Sequence, residues 1–113
     1  MVNTNFPDRG NVVWLQFNPQ AGHEQAGKRP ALVLSPKEYN QKTGLAVFCL
    51  ITSKVKGYPF EVKLPEGLPV EGVILADQIK NVDWISRSAQ FVCKIPVEIM
   101  QEVILKIETL YKD

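Results

Sequence analysis

The residues best equipped for chemistry lie in one short stretch, Gly22-His23-Glu24-Gln25-Ala26-Gly27-Lys28-Arg29-Pro30. It gathers an imidazole, a carboxylate, an amide and two cations between bracketing glycines, with apolar runs on either side. Glycine admits backbone conformations closed to other residues, and Pro30 drives Arg29 toward an extended geometry. An acid, a base and a cation held beside open solvent suit the handling of a phosphodiester or another anion. Arg29, at the mouth of the next apolar run, is the leading candidate. Its planar guanidinium offers five donors, keeps its charge and grips a phosphate at two points. The competing reading of Arg29 is an ion pair with Glu24 or a solvated strand end. His23, the only histidine, divides between a general base beside Glu24 and a structural or surface residue.

Two further polar spots follow apolar runs. Thr52-Ser53-Lys54-Val55-Lys56-Gly57-Tyr58-Pro59 sets hydroxyls before cations and an aromatic ring. Asp77-Gln78-Ile79-Lys80 interrupts an otherwise apolar strand and is a candidate groove lining. The first of these alone reads as an ordinary strand-ending turn. Trp14 and Trp84 read as core residues, whereas Phe17, at the lip of the first long loop, suits stacking. One histidine and two distant cysteines give no metal-ligand spacing, and Glu24, Asp77 and Asp83 form no cluster, so neither metal nor cofactor is expected.

These groups must be positioned by a small scaffold. A chain of 113 residues is expected to form a single domain spanning 1–113. A net charge of +1 excludes bulk polyelectrolyte binding, so any nucleic-acid contact must come from a local patch. The polar N-terminus is no signal peptide, and no apolar run approaches the roughly 20 residues of a membrane span. Cys49 and Cys93, both in apolar surroundings, fit a reducing cytoplasmic compartment better than a disulfide. Buried strands are expected at Val12 to Phe17, Ala31 to Leu34, Leu45 to Ile51 and Val73 to Ala76. Alternating ones are expected at Phe60 to Leu64 and Phe91 to Ile95. Asn18-Pro19-Gln20 opens a connection of roughly ten residues, long for a compact hairpin. Ser35-Pro36-Lys37-Glu38 has a capping-box pattern with proline at the first helical position, predicting a short helix that ends by Gly44. From Pro96 onward, Ile99, Val103, Ile107 and Leu110 form an apolar stripe that Met100, Ile104 and Tyr111 widen. Short strands capped by a helix predict a mainly β chain, a small barrel or sandwich with a helix packed on it.

Taken together, these residues resemble the MazF/PemK (Kid) toxins of bacterial type II toxin–antitoxin modules over essentially the full length. The matching pieces are Gly10-Asn11-Val12-Val13-Trp14 with Phe17-Asn18-Pro19, and the glycine-bracketed loop ending in Arg29-Pro30. Ala31 to Pro36 with Tyr39-Asn40, Thr52 with Lys56-Gly57-Tyr58-Pro59-Phe60, and Leu75-Ala76-Asp77-Gln78 follow in order. The resemblance implies an SH3-like small β-barrel of PemK/CcdB type with a C-terminal α-helix, and a homodimer whose RNA groove spans the subunit interface. It also implies a cytoplasmic mRNA interferase that arrests growth: a sequence-specific, ribosome-independent endoribonuclease acting on single-stranded mRNA without metal. In that chemistry the 2′-hydroxyl attacks the neighbouring phosphorus and leaves a 2′,3′-cyclic phosphate and a 5′-hydroxyl.

Carried over by position, Arg29 and Thr52 match the family's catalytic pair, with the Glu24 carboxylate nearby. Arg29 suits stabilisation of the pentavalent phosphorane, and Thr52 suits a hydrogen bond to a non-bridging oxygen. Glu24 or His23 is the candidate base, and the donor to the leaving 5′-oxygen stays open. Some relatives carry a catalytic arginine two residues before the Asp77 position; here that residue is Leu75, so such a scheme does not transfer. Phe17, His23, Gln25, Lys28, Asn40, Ser53, Lys54, Lys56, Asp77 and Gln78 are the expected readers of bases or holders of phosphates. The family also implies an antitoxin whose acidic, disordered tail competes for the basic groove. The rival from another class is a non-catalytic, CcdB-like toxin on the same barrel that inhibits a protein such as DNA gyrase. The intact Glu24 to Arg29 loop argues against it.

Overall fold

Runs rich in Val, Ile, Leu and Phe, broken by turn residues, form six strands in the computed structural model, which describes residues 6–17 and 27–112. They are β1 (Asn11–Phe17), β2 (Gly27–Val33), β3 (Leu45–Thr52), β4 (Glu61–Lys63), β5 (Val73–Asp83) and β6 (Gln90–Lys94). Two helices complete the chain, α1 (Lys37–Thr43) and α2 (Val97–Thr109). The strands make one curled sheet in the order β4-β5-β3-β2-β1-β6, and each neighbouring pair is antiparallel. This is the mainly β, small-barrel architecture expected, left open between β4 and β6.

Alternate residues of the central strands point to opposite faces, and both faces are covered. Val12, Leu32, Cys49, Ile51 and Ile74 pack on one side with Met100 and Val103 of α2. Val13, Leu15, Ala31, Val33, Ala46 and Phe48 pack on the other beneath Val82 and Trp84. Double coverage is why these strands read as continuous apolar runs rather than alternating ones. The apolar stripe of α2 stops short of its predicted end. Leu110 is 40% and Tyr111 75% exposed, because the helix closes at Thr109 beyond the rim of the core.

Strand β5 runs well past the apolar segment Val73 to Ala76. Cys49 pairs with Ile79 while Ile51 pairs with Ile74, so two steps along β3 span five along β5. The surplus residues bulge, and the bulge lets Asp77 and Gln78 face solvent within a continuous strand.

Helix α1 departs from its predicted cap. Pro36 stands outside the helix as the residue that would cap it, and no side chain of that turn does so. The Ser35 hydroxyl turns inward instead, donating to Asn40 Oδ1 at 2.5 Å and accepting from the Val47 N–H at 2.8 Å. The cap comes from far along the chain: Asp8 Oδ1 accepts the Lys37 N–H at 2.9 Å. At the other end Gly44, at φ 73°, closes the helix in the left-handed conformation that a glycine accepts without strain, as predicted. Both cysteines are free; Cys49 is buried and Cys93 only half-buried.

Candidate active site

Strand register brings the two leading residues together. The β2–β3 ladder pairs Val33 with Phe48, Leu32 with Cys49 and Ala31 with Leu50, and Arg29 and Thr52 stand on these two adjacent strands two residues beyond its last pair. Residues at the same end of neighbouring antiparallel strands lie within side-chain reach of one another. Arg29 and Thr52 accordingly line a single groove of about 570 Å³ with Trp14, Pro30, Ile51, Ser53, Lys54, Pro69, Val70 and Glu71. Arg29 is exposed at the outer end of its strand, where a rigid ladder rather than a free loop holds its Cα.

Thr52 is held from two sides. Its Oγ1 accepts the Lys54 N–H at 3.1 Å. That bond occupies oxygen lone-pair density and leaves the hydroxyl hydrogen free to donate. Behind it, Gly72 at φ +114° packs its backbone so closely that a Cβ there would stand 2.1 Å from the Thr52 carbonyl oxygen. Gly72 is itself anchored, its carbonyl accepting the Leu64 N–H at 3.0 Å. Only glycine fits this contact.

The connection from β3 to β4 is built around one carboxylate. Glu61 accepts the Lys56 N–H at 3.0 Å and the Gly57 N–H at 2.9 Å, one on each oxygen. The Lys56 ammonium then lies 5.8 Å from the centre of the Tyr58 ring, within cation–π range. From α2, Lys106 donates to the Pro59 carbonyl at 2.5 Å. The lysine and the ring are thus presented on a fastened loop.

The other predicted site residues divide sharply. Lys28, Ser53, Lys54 and Lys56 are exposed, and Ser53 and Lys54 lie on the groove itself. Asp77 and Gln78 are exposed on the β5 bulge but do not line the groove. Asp77 stands near enough to β3 to act on Cys49: burial first, and the Asp77 charge second, push that thiol up to about 12. Burial alone raises Cys93. Asn40 is corrected outright as an RNA contact. It is fully buried, its amide donating to the Pro7 carbonyl at 2.8 Å and the Ser35 carbonyl at 3.0 Å while its Oδ1 accepts from Ser35. Its backbone carbonyl also receives the Trp84 indole N–H at 2.9 Å. Nothing of Asn40 is left to face a ligand.

Glu24, His23 and Gln25 lie outside the described residues, as does the side chain of Phe17. Among the described residues no group of three His, Cys, Asp or Glu side chains could hold a metal. Sequence reasoning missed three contributors. Trp14, read as core, is half-buried and forms a wall of the groove. Glu61 stood in plain sight on an alternating strand, four residues beyond Gly57 and five beyond Lys56 of the loop it fastens. Gly72 carried only a turn signal.

Against known proteins, residues 8–111 match the family model described as PemK-like, MazF-like toxin of type II toxin-antitoxin system. The Endoribonuclease toxin MazF of Escherichia coli K12 is 46% identical over 110 residues, covering 97% of this chain and 98% of that protein. Endoribonuclease PemK of Escherichia coli is 33% identical over 107 residues, covering 91% and 80%. Among solved structures, the MazE-MazF crystal structure (Form-II) from Deinococcus radiodurans superposes with a TM-score of 0.92. Its matching chain is 53% identical, with 96% of this chain and 97% of that one covered.

Proposed function

This chain belongs to the PemK-like, MazF-like toxins of type II toxin–antitoxin systems, and on that premise we propose that it is an endoribonuclease toxin that cuts single-stranded mRNA in the cytoplasm. The observation that carries the reading is the groove in which Arg29 and Thr52 stand together.

The chemistry follows from what each group can do. The substrate's own 2′-hydroxyl gives up its proton and attacks the adjacent phosphorus, the bond from phosphorus to the 5′-oxygen breaks, the departing oxygen takes up one proton, and the ends are a 2′,3′-cyclic phosphate and a 5′-hydroxyl. Negative charge grows on the non-bridging oxygens as the phosphorane forms. Arg29 opposes that charge with a fixed cation and paired donors, strongest when water is excluded. Thr52, its hydroxyl hydrogen free, donates to one of those oxygens. Proton removal from the 2′-hydroxyl falls to Glu24 or His23 on the preceding loop. Exposed Lys28, Lys54 and Lys56 hold phosphates of the strand, and Gln25, Gln78 and Phe17 are left to discriminate bases.

The toxin acts as a homodimer with the RNA groove shared across the interface. It is silenced by an antitoxin whose acidic, disordered tail lies along the same cations. The MazE-MazF crystal structure of the Deinococcus radiodurans relative supports a protein partner for the toxin.

The deciding experiment incubates purified protein with a long single-stranded RNA in EDTA and maps the product ends. Discrete cuts ending in cyclic phosphates are expected. A folded protein that leaves RNA intact would favour the protein-inhibiting toxin and redirect the search to gyrase. Light scattering tests the dimer, which a persistent monomer at micromolar concentration would remove.

A further inference from the structure

Beside the Arg29–Thr52 groove lies a larger cavity of about 770 Å³, between the β3–β4 loop and the segment leading into β5. The two hollows share a wall made by Ser53, Val70 and Glu71. A strand lying over Thr52 therefore meets this cavity next. Its volume falls within the roughly 300–1,000 Å³ of small-ligand sites. Val55 and Leu68 give it apolar surface, and Tyr58, 59% exposed, gives it a ring. That ring is held by the Lys56 ammonium over it and by the Glu61 carboxylate that fastens the loop.

We propose that this cavity is a subsite for one unpaired nucleobase flanking the cut phosphate, with Tyr58 as its stacking face. The inference rests on the nuclease reading above. Charge decides which part of a nucleotide enters. Three carboxylates, Glu61, Glu66 and Glu71, line the cavity against one cation, Lys63, and an excess of carboxylates repels a phosphate but accepts hydrogen bonds from an exocyclic amino group. The backbone stays outside on Lys54 and Lys56, and the base turns in. Adenine, cytosine and guanine carry the amino group and uracil does not, so uracil is the disfavoured occupant.

The test uses the full chain and an RNA bearing its mapped cut sequence, with one abasic nucleotide stepped through the flanking positions. At one position the abasic substitution should raise KM on the order of tenfold, the scale of base–aromatic stacking, with kcat moving less. Uracil at that position should raise KM relative to the amino-bearing bases. Tyr58→Ala should raise KM on intact RNA and erase the abasic effect, and Tyr58→Phe should restore both. Normal cutting with no flank-sensitive position, or sensitivity that survives in Tyr58→Ala, overturns the subsite alone. Failure of the unaltered protein to cut any RNA overturns the nuclease reading and the subsite with it.

Discussion

At one end of the β2–β3 pair, Ser35 and Asn40 turn their polar atoms inward, to each other, to Pro7 and to Val47. At the other end, Arg29, Ser53 and Lys54 hold theirs out to solvent around Thr52. The same two strands thus carry a scaffold at one end and a working surface at the other. Polar character is similar at both, and what differs is whether the protein itself satisfies it. A buried amide with every bond made fixes the fold and has nothing left to recognise. A cation left exposed on a rigid strand costs the fold little and remains available to a ligand.

The strongest way to break this comparison is Arg29→Ala. Loss of one donor to a developing oxyanion typically costs about a hundred- to a thousandfold in rate, while an exposed substitution shifts stability by only about 0.5 kcal/mol. A mutant that cuts at full speed would end the catalytic assignment. Asn40→Ala should do the reverse. It strands two carbonyls and a hydroxyl inside the protein, for a loss of about 3 kcal/mol in denaturant unfolding, with the cut sequence unchanged. A shifted cut sequence would make Asn40 a reader after all.

Gly72→Ala should straddle the two classes, because its new Cβ would meet the Thr52 carbonyl. Both a roughly tenfold slower rate and a stability loss of about 2 kcal/mol are expected. An undisturbed rate would mean that Thr52 does not depend on this seat. Midway along β3, Cys49 supplies a pH test. Burial, with the Asp77 charge second, pushes its folded thiol up to about 12, above the 9.0 of the free group. Below 9.0 both states hold the proton and stability is flat in this group. Above it the unfolded state loses the proton first, so stability falls with rising pH by at most roughly 1.4 kcal/mol per unit. Unfolding of Cys49→Ala should lack that component between 9.0 and about 12. Lys56→Ala is the mildest: binding weakens, the logarithmic salt slope becomes shallower by about 0.7, and the cut sequence holds. A changed cut sequence would make Lys56 a reader of bases.

Most of the scaffold was legible because apolar runs report burial directly. The continuous runs of β1 to β3 announced strands covered on both faces, and the stripe from Ile99 to Ile107 announced α2. The polar residues were harder because residue type does not say who the partner is. Asn40 looks like any surface amide until Pro7, 33 positions earlier, is seen to receive its hydrogen. Ser35 obeyed a local capping pattern that lost to a tertiary bond with Val47. The meeting of Arg29 and Thr52 in one groove depends on how β2 and β3 align, which no local pattern specifies; only the family resemblance joined them. Trp14 was half-read, since a tryptophan large enough to touch the core also reaches the groove.

The two ends also differ in when they can exist. Every partner of the Ser35 hydroxyl and the Asn40 amide, and the Asp8 carboxylate that caps α1, has left the ribosome once Val47 has emerged. The Thr52 seat waits for Gly72, and β3 waits for β5 as far as Asp83 before its second edge is paired. Vectorial synthesis favours early closure of contacts near the N-terminus. A nascent chain halted before Gly72 would therefore have every partner of the Ser35 hydroxyl and the Asn40 side chain in hand but no seat for Thr52, so the groove is completed late in the making of the molecule.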